Sequence, residues 1–197
     1  QIQLVDGGSG DLDFPFIDKI KAIATVGEVN KFRNDEALTG YPDGNAAWLH
    51  DNNTIRVVYQ SESYATMSSE TYPWEMNSGA TFTGSHIHTI DYDRTKFANF
   101  LNNNDTASGM VINSGKLFDT IYNQFGEVVK AKADGGLWGN QTLPNRQLIN
   151  FNDKYKLTKA DFFFQSFCGA WYEQANKYGQ GIGFNDDIWL TAEEWNI

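Results

Sequence analysis

The chain has little cysteine, little proline and few basic residues. Its 197 residues include one cysteine and four prolines, and 15 lysines and arginines stand against 25 aspartates and glutamates. One cysteine cannot form an intramolecular disulfide, which excludes a disulfide-stapled scaffold. The formal charge of −10 argues against nucleic acid and anionic membranes as partners and favours bound cations. No apolar run approaches the length of a membrane span, so we expect none.

Apolar and aromatic residues are plentiful enough to build a core. Hydrophobic residues make up 41% of the chain and aromatic residues 15%, which excludes wholesale disorder. The chain starts at Gln1 without a methionine, and we expect a processed or excised product. Abundant Asn, Asp, Gly, Ser and Thr with few basic residues are typical of secreted β-rich proteins. We therefore expect a secreted or periplasmic location.

Short apolar segments between turn signals predict strands. Tyr41–Asn45 carries Pro, Asp, Gly and Asn in succession and predicts a turn. Ala46–His50 and Thr54–Gln60 flank a second turn at Asp51–Asn53, which predicts a β-hairpin. Thr83–Tyr92 alternates with period two and predicts a strand at the surface or edge of a sheet.

Helical patterns are few. Asp93–Leu101 predicts one short helix, ended by the Asn-rich segment that follows it. Ser114–Val129 fits a helical stripe, but its aromatic and β-branched flanks favour a hairpin that turns at Asn123–Gly126. We therefore predict an all-β or β-dominated fold with short antiparallel strands and one or two short helices. Residues 1–197 would form a single domain or the N-terminal fragment of a larger β-propeller.

The segment Ser166–Trp195 gathers the groups best suited to chemistry. It contains the lone Cys168, a glycine-rich turn and the strand Ile188–Thr191, and that strand is followed by Glu193 and Glu194. A thiolate favours transition metals, and carboxylates favour iron or calcium, so a mixed metal site is one hypothesis. The alternative is that the cysteine is a small buried apolar side chain and the glutamates belong to a solvated loop.

Two further groups have metal-ligand chemistry. Asp6, Asp11 and Asp13 lie among glycines and could wrap a calcium ion, although an exposed terminal loop explains them equally simply. His86 and His88 would share one face of a regular strand and form a possible ligand pair. Paired surface histidines more commonly bind nothing.

Three motifs in order along the chain resemble the PhoX-type alkaline phosphatases and their marine bacterial relatives. The strand ending in Gln60-Ser61-Glu62 resembles the family's early acidic motif, in which Asn-His precedes the Glu. Phe167-Cys168-Gly169-Ala170 and the later Trp189–Glu194 resemble its cysteine-containing segment and its Trp-Leu-Thr-x-Glu-Glu strand end. The likeness covers roughly residues 40 to 195. The Asn-His pair is replaced here, and the gap between Cys and Glu is longer than in the compact motif.

The resemblance implies a function and a set of ligands. The family consists of secreted β-propeller enzymes, several times larger than this chain, that hydrolyse phosphomonoesters at an iron–calcium cluster. Carried over residue by residue, Cys168 and Glu194 are the expected ligands, Glu62 a further ligand and Glu193 a supporting partner. The implied cofactors are iron and calcium, the implied substrate is a phosphate ester, and the implied partners are the remaining segments or chains of the same propeller.

Two other classes of protein account for the same composition. Acidic loops with few basic residues suit a calcium-stabilised secreted structural or adhesion module without catalysis. The 14 Phe, 9 Tyr and 6 Trp also suit a small-molecule or pigment carrier, although an aromatic β core explains them as well. A cysteine hydrolase is disfavoured because no nucleophile motif surrounds Cys168.

Overall fold

The computed structural model describes residues 38, 40–62, 74–103, 107–122, 125–130, 162–164 and 166–194, together with residues 21, 23, 24 and 26. Strands dominate these ranges, with one α-helix and one 3-10 turn at Ala107–Gly109. The elements are β1 (Tyr41–Asp51), β2 (Thr54–Glu62), β3 (Trp74–Glu75), β4 (Thr81–Gly84), β5 (His86–Asp93), α1 (Arg94–Asn102), β6 (Val111–Lys116), β7 (Phe162–Phe164), β8 (Phe167–Glu173) and β9 (Ile188–Glu193).

The described strands form three sheets. The first has the order β1-β2-β5-β6, the second β3-β4-β7 and the third β8-β9. The pairs β3–β4 and β8–β9 are antiparallel, whereas β4 and β7 run parallel. The predicted β-dominated class is confirmed, and the propeller stays a prediction. Within the described ranges, no helix is long and apolar enough to cross a membrane.

The predicted hairpin is confirmed, and the turn placed before it is wrong. β1 and β2 are joined by a tight turn at Asn52 and Asn53, where Asn53 N donates to Asp51 Oδ1 at 2.7 Å. Tyr41–Asn45, predicted as a turn, is the first half of β1. β1 lies at the edge of its sheet, a position where proline is tolerated because an edge strand has unpaired backbone groups.

The strand predicted at Thr83–Tyr92 is found as β4 and β5, but its place in the protein was predicted wrongly. β5 lies between β2 and β6, not at a sheet edge. His86 is fully buried and His88 is 6% exposed. Their rings lie 5.5 Å apart, as expected for one face of a strand. Both rings pack against Trp74. The alternation of polar residues in the sequence suggested a surface strand, but these polar side chains are buried in an aromatic core.

The predicted helix is confirmed at α1. Asp93 is its N-cap, and Asp93 Oδ1 accepts a hydrogen bond from Lys96 N at 2.8 Å. This bond satisfies a donor that has no partner within the helix. Phe100 is the buried residue of the helix, which ends at Asn102 with Asn103 as its C-cap, within the predicted Asn-rich stop.

Other predictions are tested partly or fall outside the described residues. Tyr122 and Val128 form an antiparallel bridge, which favours the hairpin over the helix in that segment. The amphipathic pattern of Thr158–Phe164 predicts one helical turn, but its last three residues form β7; residues 158–161 lie outside the described residues. The calcium loop proposed at Asp6, Asp11 and Asp13 lies outside the described residues.

The chain divides into two compact units. The first comprises residues 1–38, 47–57 and 89–115, and the second comprises 39–46, 58–88 and 116–197. In the first unit, Arg56 binds Asp91 through two parallel hydrogen bonds of 2.7 and 2.9 Å. Asp91 is buried, and this bidentate geometry compensates its carboxylate for the loss of water.

Aromatic side chains form the core of the second unit. Trp74 stacks on His86 with ring centroids 4.1 Å apart and meets the edge of His88 at 5.1 Å. Phe82 packs against Trp74 at 6.3 Å and against Phe164 of β7 at 5.7 Å. Burial without water lowers the pKa of His88 to about 4 and lowers the pKa of His86 well below its usual value. Both imidazoles are therefore neutral at pH 7.

We predict that acid destabilises the protein through these histidines. An unfolded histidine titrates near pH 6.5 whereas the folded pair resists protonation, so stability is greatest above pH 6.5 and falls as the pH drops toward 4. Each histidine contributes up to about 1.4 kcal/mol per pH unit to this loss. Urea unfolding at pH 7.5, 6.0 and 5.0 measures the slope. His88→Leu should flatten it, and an equal slope in that variant would contradict the assignment.

Candidate metal centre

Asp43, Glu62 and Cys168 bring three ligand atoms together in the second unit. The carboxylate oxygens and the thiol sulfur lie within 4.8 Å of one another. Asp43 lies on β1 and is exposed, Glu62 ends β2 and is buried, and Cys168 lies on β8 and is half-buried. The three residues come from three different strands. They are far apart in the sequence but close together in the folded protein.

A glycine allows β1 to approach β8 at this point. A Cβ placed on Gly44 would lie 2.3 Å from the Cβ of Ala170 and 3.2 Å from its backbone nitrogen. No side chain fits at that distance, so the close approach requires glycine. Asp43 directly precedes Gly44, and Cys168 lies two residues before Ala170. The same contact therefore carries the Asp43 carboxylate to the thiol.

A β-bulge sets the position of Cys168. Phe167 pairs with Glu193 and Ala170 pairs with Thr191, so β8 advances three residues while β9 advances two. The extra residue falls within Cys168-Gly169. A bulge interrupts the alternation of side chains and leaves backbone groups without ladder partners. The position of Cys168 therefore differs from the one that regular pairing of β8 with β9 would give it.

Gln60 supplies hydrogen bonds to the bulge. The two hydrogens of its Nε2 are shared among the carbonyl oxygens of Phe167 at 2.9 Å, Cys168 at 2.8 Å and, most weakly, Gly169 at 3.4 Å. Its Oε1 accepts from Trp189 Nε1 at 3.0 Å. Carbonyls only accept and an indole N–H only donates, so these partners fix the orientation of the amide. Gln60 is fully buried, which makes each of these bonds costly to lose.

Ser166 forms hydrogen bonds with the carboxylates of Glu62, Glu193 and Glu194. It is fully buried, and its backbone N donates to Glu193 Oε1 at 2.8 Å. Its hydroxyl donates to Glu62 Oε1 in a short hydrogen bond and lies 3.5 Å from Glu194 Oε2. Glu62 thus takes part both in this group and in the cluster with Cys168.

The charges around Cys168 keep its thiol protonated. A hydrogen bond to the Asp43 carboxylate is the largest cause, followed by partial burial and by the negative charges of Asp43, Glu194 and Glu62. Together they raise the pKa of the Cys168 thiol to about 11. Such a thiol is a poor nucleophile at neutral pH, because the thiolate is the reactive form. A bound cation would reverse this balance.

The structure groups all four residues that the sequence singled out. Cys168 and Glu62 belong to the three-ligand cluster, Glu193 accepts from the Ser166 backbone, and Glu194 faces the Ser166 hydroxyl. Asp43 was not among the candidate ligands, because the residues around it predicted a turn. The signal in the sequence was Asp43-Gly44 itself, a carboxylate beside a residue that permits close backbone contact.

The donor set fits a transition-metal ion. Thiolate and carboxylate ligands at 2.0–2.3 Å from a zinc-like ion lie at most about 4.5 Å apart, so the three atoms need to move little to share one ion. Among the described residues, these three ligands would leave a coordination position open on such an ion, the arrangement typical of catalytic metal sites. A site for calcium would be built from oxygen atoms, and a thiol is a poor member of it.

No protein-family model, curated protein or solved structure matches this chain. The fold class and the geometry of the site therefore rest on the described residues themselves.

We predict that Gly44→Ala destabilises the protein by about 1–3 kcal/mol, because the new methyl group has no room beside Ala170. Urea unfolding compares the variant with the wild type. The double variant Gly44→Ala/Ala170→Gly removes the opposing methyl group and should recover part of the loss. Wild-type stability in the single variant would show that β1 does not press on β8 at this position.

Proposed function

We propose that this chain is a metal-binding β-rich protein in which Asp43, Glu62 and Cys168 hold one transition-metal ion. The observation that carries the proposal is the convergence of these three ligand atoms, from three strands, within 4.8 Å. Iron is the occupant expected from the resemblance in the sequence, and phosphomonoester hydrolysis is the reaction expected at the site. Calcium, the second expected cofactor, would require the oxygen ligands of Glu193 and Glu194 beside Ser166.

Charge supports a cation at this place. Glu62 is buried, and the carboxylates of Asp43, Glu62 and Glu194 all act on one half-buried thiol. Concentrating like charges outside water costs free energy unless a counter-charge is present. A metal ion removes this cost and displaces the thiol proton. Affinity should therefore rise with pH at neutral pH.

The residues of the site have separate tasks in this proposal. A bound metal ion would act as a Lewis acid toward a phosphate oxygen and lower the pKa of a bound water. Cys168 would anchor the ion, while Asp43 and Glu62 would balance its charge. Ser166 holds the Glu62 carboxylate in place through its hydroxyl. Asp43 is exposed, so the ligand facing solvent also marks the side from which a substrate would enter.

We predict that Cys168→Ser and Asp43→Asn each weaken binding of Co²⁺ by roughly 100-fold or more, since changes to residues merely supporting a metal ligand already cost 10–100-fold. Cobalt is a suitable probe because its bond to a thiolate absorbs in the near ultraviolet. Titration followed by absorbance gives both the affinity and the sulfur signature. Cys168→Ser should abolish that signature.

The matched control for this titration is Asp186→Asn. Asp186 is an exposed carboxylate in the segment between β8 and β9, and its removal changes the net charge as Asp43→Asn does. Its affinity for cobalt should equal that of the wild type. Equal affinities in wild type, Cys168→Ser and Asp43→Asn would refute the site. Calcium binding that is insensitive to Cys168 would support the structural module instead.

We predict that any phosphatase activity of the chain depends on the same ion. Hydrolysis of p-nitrophenyl phosphate should follow the amount of bound iron, stop on addition of a chelator and return on readdition of the metal. Cys168→Ser should remove activity and iron together. Stoichiometric iron without turnover would leave a metal-binding protein and refute the hydrolase, and turnover in the chelated protein would refute the role of the metal.

A further inference from the structure

We propose that Gln60, held by Trp189, is a positioning residue that fixes the β-bulge from which Cys168 reaches Asp43 and Glu62. The inference deepens the proposed function, on which its metal-binding consequence rests. The hydrogen bonds of Gln60 go to backbone carbonyls and to the Trp189 indole. Gln60 acts on the backbone that carries one of the three ligands.

The bulge disrupts the regular hydrogen bonding between β8 and β9. Between the paired residues Phe167 and Ala170, β8 contains one residue more than β9 opposite it. Backbone carbonyls in such a segment lack regular ladder partners, and buried carbonyls must find others. The Gln60 amide meets three successive carbonyls, those of Phe167, Cys168 and Gly169.

The Gln60 amide is itself held in place by a hydrogen bond from Trp189. Trp189 lies on β9, and its indole N–H donates to Gln60 Oε1 at 3.0 Å. The bulged strand β8, its partner β9 and the end of β2 are therefore joined through one fully buried side chain. A buried polar group with every partner in place selects one backbone arrangement over others that would leave it unsatisfied.

Gln60 also lies close to one of the proposed ligands, Glu62, on the same strand. Gln60 lies two residues before Glu62 on β2, so its side chain and that of Glu62 leave the strand on the same face. On that face, Gln60 Nε2 donates a hydrogen bond to the backbone carbonyl oxygen of Cys168 at 2.8 Å. The geometry that presents the carboxylate of Glu62 thus also sets the backbone of Cys168.

The test uses Gln60→Met, which keeps the length of the side chain and removes all of its strong hydrogen bonds. Cobalt affinity should fall by roughly 10–100-fold, the range found when supports of metal ligands are removed. The thiolate absorption band should weaken in parallel. Trp189→Phe removes only the indole donor and should give a smaller loss in the same direction.

The matched control is Arg56→Met, also on β2, which breaks the ion pair with Asp91. It costs stability without touching the bulge, so its cobalt affinity and absorption band should remain those of the wild type. If Arg56→Met weakens cobalt binding as much as Gln60→Met, the effect is general destabilisation and the positioning role is overturned.

A second readout needs no metal. Alkylation of Cys168 by iodoacetamide, at fixed pH in the folded metal-free protein, should be roughly tenfold faster in Gln60→Met because the thiol is no longer held beside Asp43. An unchanged alkylation rate would overturn the positioning role even if the wild type binds cobalt. If the wild type binds no cobalt, the proposed function fails and the alkylation rate still decides the role of Gln60. Should Gln60→Met not fold, Trp189→Phe is compared with Arg56→Met in both assays.

Discussion

The hydrogen bonds of Gln60 are the constraint on which the candidate site depends. One amide group satisfies carbonyls in a bulged strand and is oriented by an indole from the neighbouring strand. Without it, the buried carbonyl of Phe167 and the half-buried carbonyl of Cys168 would lose their side-chain donor, and the bulge would lose its advantage over regular pairing. The position of Cys168 follows from the bulge, and the cluster follows from that position.

The site places groups together that repel one another in the absence of a cation. Glu62 and Glu194 both face the hydroxyl of Ser166, which has a single proton to donate. Asp43 adds a third carboxylate, and its hydrogen bond with the Cys168 thiol keeps that thiol neutral. A bound metal ion would displace this thiol proton, because the thiolate is the form of cysteine that binds metals. The carboxylates that keep the Cys168 thiol protonated, and so make it a poor nucleophile, are also suitable ligands for a cation.

Much of the local structure could be predicted from the sequence, because it depends on nearby residues. The β1–β2 hairpin follows from Asp51–Asn53, and α1 follows from the cap at Asp93. The sequence also singled out Cys168, Glu62, Glu193 and Glu194, which lie near one another in the structure, and their role as ligands stays a prediction. Asp43 was not found, because its role depends on a contact between β1 and β8, more than 120 residues apart. The burial of His86 was missed because it depends on a packing contact, the stacking of Trp74 on its ring, that the strand pattern does not show.

The aromatic core and the candidate site are continuous through Ser85. Phe82 on β4 packs on Phe164 of β7, and Ser85 N donates to the Phe164 carbonyl at 2.7 Å. Ser85 Oγ then accepts from Phe167 N at 3.0 Å, at the first residue of the bulged strand. Ser85 is fully buried, so neither bond can be exchanged for one with water. The neutral histidines and the phenylalanines beside them therefore do more than fill space. Ser85 joins them to the strand end from which Ser166 and Cys168 meet the carboxylates. His86 directly follows Ser85, so a protonated His86 would weaken the core at the point where the site is attached to it.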